Sequence, residues 1–173
     1  FLRSKRENNK VALVASFTES KGKMNSIFHR DNIRIGPTLS SGFDLYKDLN
    51  YQIPWLMNPK SDYTPFWLEG KSNDLDMVSS IYGCQGFESD YVGVIWGRDF
   101  VRRGNRWEIG DRKIITDNID GLNNCVGSNP ELAIQLLQNR YRIFLTRGML
   151  GTIIFCEDKE TENYLRQVLS YSS

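Results

Sequence analysis

The sequence contains one histidine, His29, and three cysteines, Cys84, Cys125 and Cys156, among 173 residues. A single histidine removes most His-based acid–base chemistry and most His-rich metal sites. No two cysteines form a CxxC pair. An odd, scattered set argues against a disulfide frame and a zinc site, and fits a reducing cytoplasm. No apolar run approaches the ~20 residues a membrane-spanning helix needs, and no signal-peptide pattern opens the chain. An excess of one charge is missing too. Lys+Arg number 22 against 21 Asp+Glu, leaving a net charge of +1. That balance neither requires nor forbids a nucleic-acid partner, because a local basic face can sit inside a neutral total. The signatures of a self-contained active site are also absent: no GxxxxGK[ST] loop to cradle a triphosphate, no GxGxxG after a strand, no HExxH and no GxSxG. The acidic residues form no evident metal cluster, so no metal site is expected.

The composition is that of an ordinary globular domain, with 40% hydrophobic and 25% charged residues. The length suffices for one domain with a real core. The chain opens on Phe1 rather than Met. Leu2 to Lys10 read as the charged end of a helix already under way, so a piece excised from a longer protein is the expectation. Val11–Ser16, Asp76–Ile81, Tyr91–Trp96 and Thr152–Cys156 are short apolar runs that read as strands, and near-continuous ones suit a parallel sheet covered on both faces. Pro130 to Arg147 is the clearest helix. Asn129 can cap it, Pro130 suits its first turn, and Leu132, Leu136, Leu137, Tyr141, Phe144 and Leu145 recur at helical spacing. Gly148 or Gly151 should end it, and Lys159 to Leu169 reads as a closing helix.

Thr18 to Gly22 reads as a turn. Residues 33–71 carry Pro37, Pro54, Pro59 and Pro65 and seven aromatics, among them Trp55 and Trp67; they read as irregular, with extended pieces and one helical turn near Phe43–Leu49. The aromatics there read as packing, and His29 as a loop residue. Arg98 to Lys113 reads as a hairpin or exposed loop anchored by Trp107, and Asn118 to Asn129 as a polar linker. The expectation is therefore one α/β domain over 1–173, with an irregular insertion at about 33–71 and an exposed loop at about 98–129.

Two segments carry chemistry. In Ser79 to Ile95, a strand enters a Gly83-Cys-Gln-Gly86 turn, then Glu88 and another apolar strand. Glycines there permit close backbone approach to a ligand, and Gln85 and Glu88 are expected at the carboxyl end of a parallel strand, where open α/β sheets bind ligands. In Asn139 to Gly148, three arginines follow on one helix: Arg140, Arg142 and, at its end, Arg147.

Ser80 to Asp90 resembles motif V of superfamily 1 helicases, and Tyr141 to Arg147 resembles their motif VI. More narrowly, Cys84 to Ile95, Gly97 and Asp99, with Tyr141-Arg142 and Leu145-Thr-Arg-Gly148, resemble a family of largely uncharacterised bacterial ATP/GTP-binding proteins. That family shares its helicase-like domain with the Schlafen proteins. The strong resemblance covers 76–99 and 139–158; a looser one covers Val11–Lys23 and Ile53–Asn58.

The resemblance implies a RecA-like second domain of a P-loop ATPase, without its own phosphate loop. An N-terminal RecA-like domain of the same protein would hold ATP and Mg²⁺. Arg147 would be the arginine finger, and Gln85, Gly86, Glu88 and Arg142 would face the nucleotide. Ser80 would touch the backbone of DNA or RNA. A guanidinium contacts phosphate oxygens in a planar, bidentate way, and an arginine finger is worth about 10³–10⁵ in rate.

Ser89 departs from the Phe usual in motif V. Gln138-Asn-Arg140 departs from the usual lead into motif VI, leaving Arg140 and Arg142 open between nucleotide, nucleic acid and domain surface. Two readings also stay open for the arginines between Arg98 and Arg112, a nucleic-acid loop or a solvated hairpin, and for Cys84, a reactive thiol or a small buried residue. For the whole protein, a helicase-like motor, a nucleotide-dependent switch or defence ATPase that never unwinds a duplex, and a non-catalytic binding module all remain in play. The isolated chain is expected to be catalytically silent.

Overall fold

A computed structural model of the protein describes residues 1–16, 28–35, 51–56, 60, 62–115 and 121–170, with only the backbone for 28–35 and 51–54. The turn expected at Thr18–Gly22 and the helical turn near Phe43–Leu49 lie outside the described residues. A short helix α1 (Leu2–Lys5) leads into β1 (Val11–Ala15), whose Val11, Ala12, Val14 and Ala15 are all buried. β1 sits inside a six-stranded sheet of order β2-β3-β4-β1-β5-β8, built with β2 (Phe28–Ile35), β3 (Tyr51–Leu56), β4 (Val78–Ser79), β5 (Ser89–Trp96) and β8 (Gly148–Cys156). The five strands from β3 to β8 are parallel, and β2 runs antiparallel at the edge. This mixed α/β architecture is compatible with a RecA-like domain.

β1, β5 and β8 follow their apolar runs, because strands buried on both faces need unbroken hydrophobic sequence. Two expectations are corrected and one is made specific. The run expected at Asp76–Ile81 supplies a strand of only two residues, since Ser80 already begins helix α3 (Ile81–Cys84). The proline-rich 33–71 segment contributes β3 to the sheet. Pro54 has no N–H to donate and falls where the β2–β3 register breaks, between the pairs Trp55↔His29 and Ile53↔Ile33. His29 thus lies in a strand, not a loop.

After β5 the chain turns into a hairpin, β6 (Phe100–Arg103) and β7 (Arg106–Ile109). Trp107 does anchor it: its ring stacks on Phe100 at 4.7 Å and on Trp96 at 5.4 Å, and Tyr141 lies 4.0 Å from Trp96 on the same stack. The expected exposed loop over 98–129 is not one. Arg98, Asp99, Phe100 and Val101 are buried. Residues 121–129 are no linker either, but hold helix α4 (Leu122–Ser128), with Leu122 and Val126 in the core; residues 118–120 lie outside the described set. Two apolar residues four apart present one face to the core, which polarity averaged over the segment conceals.

Arg106 and Arg112 are exposed, as a solvated hairpin would have them, but three other arginines of this segment pack against the domain. Arg98 lies 3.7 Å from Asp111 and 3.5 Å from Glu157. Arg102 sits over the Tyr164 ring at 4.6 Å. Arg103 makes two 2.8 Å hydrogen bonds to Asp158. Neither a nucleic-acid loop nor a solvated hairpin describes these three side chains.

Helix α5 (Pro130–Leu145) begins as expected, with Pro130 in its first turn and the Asn129 side chain accepting from Leu132 N–H at 3.2 Å. Its buried stripe is Ala133, Leu137, Arg140, Tyr141 and Phe144. Leu132, expected on that stripe, is exposed. Tyr141 ties the helix to the carboxyl end of β5. Its hydroxyl donates to Asp99 at 2.7 Å and accepts from Gly97 N–H at 2.9 Å. Burial raises the Asp99 carboxyl above its ordinary value, opposed by Tyr141, Ser16 and the Arg140 guanidinium. Arg140, 4% exposed, reaches the Ser16 carbonyl at 3.5 Å. It is an internal residue that belongs to neither a nucleotide nor a nucleic-acid surface. Helix α6 (Lys159–Ser170) closes the chain against β8 and β6. Among the described residues no helix is long and apolar enough to cross a membrane.

Tyr141→Phe keeps the ring stack but leaves a buried carboxyl and a buried N–H short of a partner, so it should cost about 2 kcal/mol in denaturant unfolding. Asp158 accepts from Arg103 and from the Thr161 N–H and hydroxyl at 2.9 and 2.6 Å. Burial pushes its carboxyl up, yet the Arg103 guanidinium and the Thr161 donors prevail and hold it below 3.8. A depressed pKa stabilises the fold above the ordinary value, and that stability is lost as pH falls through the folded one. Asp158→Asn should therefore cost about 2 kcal/mol at neutral pH, through the lost charge on Arg103 and at the helix start. It should also flatten the fall of Tm as pH drops below 3.8.

Candidate functional site

The route from β4 to β5 explains where the first segment comes to rest. Ser79 pairs in register with Val14, which also pairs with Val94 near the end of β5. From that level the chain returns through α3 to the start of β5 at Ser89, because a parallel strand must be re-entered from its amino end. The Gln85–Glu88 turn thus stands at the amino end of β5, not at the carboxyl end of a strand as the sequence suggested. The turn itself is tight. Gln85 has φ −72° and ψ 122°, Gly86 has φ +82°, and Phe87 N–H reaches Cys84 O at 3.4 Å. These are the features of a type II turn, whose third position requires positive φ and hence glycine. Gln85, Gly86 and Glu88 are exposed.

The second segment arrives at the same edge. Helix α5 ends at Leu145, two residues before Arg147, and Gly148 opens β8. A Cβ at Gly148 would lie 2.2 Å from the Gly151 carbonyl oxygen, so no larger residue fits this close approach. The register pairs Ser89 with Gly148, and Ser89 N–H donates to Arg147 O at 2.9 Å. The Arg147 guanidinium donates from Nη1 to Phe87 O at 3.1 Å, from Nε to Ile143 O at 3.2 Å and from Nη2 to the Thr146 hydroxyl at 3.2 Å. All three acceptors are neutral oxygens. The guanidinium is therefore aimed while its charge stays available to an anion.

The remaining candidates separate. Ser80 is wholly buried, where it precedes α3 and donates its N–H to Leu56 O at 2.9 Å. Beside it, burial lifts the Tyr63 hydroxyl to about 12 against the opposing hydrogen bond of Ser80. Arg142 is exposed on α5, apart from the contacts that hold the turn. Cys84 is fully buried and its thiol donates to the Ser79 hydroxyl at 3.6 Å. Burial pushes that thiol up to about 12, although Ser79 and the nearby Arg147 charge oppose it. A thiol so protonated is not a nucleophile, and the small-residue reading of Cys84 holds. The structure thus gathers Gln85, Gly86, Glu88 and Arg147 on one edge, buries Ser80 and leaves Arg142 to one side. Phe87 and Ile143 could not be recognised from sequence as anchors of Arg147, because they act through main-chain carbonyls.

Comparison with known proteins agrees with the two motifs. A family model described as "Schlafen group 3, DNA/RNA helicase domain" matches residues 1–158. The Uncharacterized protein YPL245W of Saccharomyces cerevisiae is 25% identical over 150 residues, covering 75% of this chain and 29% of the yeast protein. The chain thus spans less than a third of the length of that relative. No solved structure matches.

Gly86→Ala should cost about 1 kcal/mol of stability, since an L-residue at φ +82° is strained. No atom would crowd the added Cβ, so the fold should survive, and chemical denaturation would read the difference.

Proposed function

This chain belongs to the Schlafen group 3 DNA/RNA helicase-domain family, and on that premise we propose that it is the second, RecA-like half of a helicase-type ATPase. In this reading it supplies Arg147 to ATP held, with Mg²⁺, by an N-terminal RecA-like domain of the same protein, and the whole acts on DNA or RNA. The observation that carries the reading is the contact between the two motif segments, Arg147 held to the Phe87 carbonyl beside exposed Gln85, Gly86 and Glu88. A guanidinium at that edge meets the charge that grows on the oxygens of a transferring phosphoryl group, and its planar fork can take two of them. Glu88 and the open turn would face the ribose. Two further features support a second domain over this edge. The sequence has no phosphate loop of its own. Met149 and Leu150, just after Arg147, are each 64% exposed, as apolar side chains at an interdomain surface are before it is covered.

A nucleotide-dependent switch that never unwinds a duplex is favoured by one observation. Ser80, which would touch the nucleic-acid backbone in a motor, is wholly buried. A strand-displacement assay on the full-length protein separates the two: displacement driven by ATP sinks the switch reading.

Arg147→Ala in the full-length protein should lower the ATPase kcat by about 10³-fold or more. Arg147→Lys should recover little of it, since an ammonium lacks the planar fork. An unchanged rate in Arg147→Ala would instead favour a non-catalytic binding module. The 173-residue chain alone should hydrolyse no ATP, and robust turnover by it contradicts the proposal.

A further inference from the structure

We propose that Trp67 is a positioning residue for Arg147: it holds both sides of the turn whose carbonyl anchors the guanidinium. The inference rests on the reading of Arg147 given above. Trp67 ends the one-turn helix α2 (Thr64–Trp67) and is 1% exposed. Its indole N–H donates to Gly83 O at 2.6 Å, inside α3 and ahead of the turn. Its ring lies parallel to that of Phe87, with 2° between the planes and 6.0 Å between centroids, beyond the turn. Phe66 meets the indole edge-on at 5.2 Å, which fixes the plane of the ring. Tyr63, four residues before Trp67, packs against Gly83 so closely that a Cβ there would lie 2.5 Å from the Tyr63 ring.

One side chain therefore spans the turn through two unlike contacts, a hydrogen bond to its entry and a ring stack at its exit. The stacked residue is the one whose carbonyl receives Arg147 Nη1 at 3.1 Å. If Trp67 shifts, Phe87 shifts, and the guanidinium follows its acceptor. Catalysis through a positioned charge is sensitive to displacements of about 1 Å, whereas binding of a nucleotide by another domain is not. Replacing the indole by a smaller ring without the N–H should therefore act on turnover and leave substrate affinity in place.

The test uses the full-length protein with ATP as probe and compares wild type, Trp67→Phe, Arg147→Ala, the double variant, and Tyr164→Phe as a control at an aromatic contact on α6. Trp67→Phe should lower kcat about tenfold while KM stays within about twofold. It should cause no further loss in the Arg147→Ala background, and Tyr164→Phe should match wild type. If Trp67→Phe is poorly folded, Phe87→Leu, which removes the stack and keeps the carbonyl, should give the same pattern. A wild-type kcat in Trp67→Phe while Arg147→Ala is slow overturns this inference alone. An equal fold-loss with and without Arg147 overturns it too, because the effect then does not pass through the guanidinium. A wild-type kcat in Arg147→Ala, or no turnover of ATP by the wild-type protein, overturns the reading of Arg147 and this inference together.

Discussion

The parallel pairing of β5 with β8 is the contact on which the candidate site depends. Arg147 and Phe87 are 60 positions apart in the chain, and no local preference could bring them together. The ladder from Tyr91↔Gly151 to Trp96↔Cys156 does so, together with the pair Ser89↔Gly148 beyond a one-residue shift in register. The hydrogen bond from Ser89 N–H to Arg147 O places the arginine within reach of the turn that precedes β5. A slip of the register by one residue would turn every side chain of β8 over and carry Arg147 off the turn. Gly148 holds the approach close by having no side chain against Gly151.

The two ends of the sheet divide the work. At the carboxyl end of β5, where open α/β sheets bind ligands, the described residues are closely packed. Tyr141, Asp99, Gly97, Arg140 and Ser16 form a buried polar group there, and the hairpin covers it with a stack of Trp96, Phe100, Trp107 and Tyr141. That group fixes α5 along its length. Because α5 is held at Tyr141, its last turn, which carries the Ile143 carbonyl, delivers Arg147 to a defined place. The amino end, by contrast, presents exposed Gln85, Gly86 and Glu88.

In the proposed role this arrangement is economical in reorganisation. The guanidinium is held by three neutral oxygens, so its position is set in advance while no carboxylate among the described residues pairs with its charge. Donors fixed before the reaction stabilise developing charge better than donors that must be ordered during it. In that role a second surface would complete the edge, and membership of the helicase-domain family is in keeping with it.

Much of the fold was legible in the chain. β1, β5 and β8 announced themselves as unbroken apolar runs, α5 by Asn129, Pro130 and its periodicity, and the β6–β7 hairpin by its composition and Trp107. The turn was legible from its glycines, and Arg147 stood out because its segment resembles a helicase motif, its place at a helix end alone being ordinary for an arginine. These signals are local: each depends on the conformation or burial of a few neighbouring residues. What was hidden depends on residues distant in sequence. That Ser80 is buried, that Arg140 points inward while Arg142 points out, and that Trp67 reaches Gly83 and Phe87 were settled by packing between remote segments. So was the amino-end position of the turn, since the return of α3 past β1 is a fact of strand order. A residue's type states which bonds it can make; only the folded chain supplies the partner.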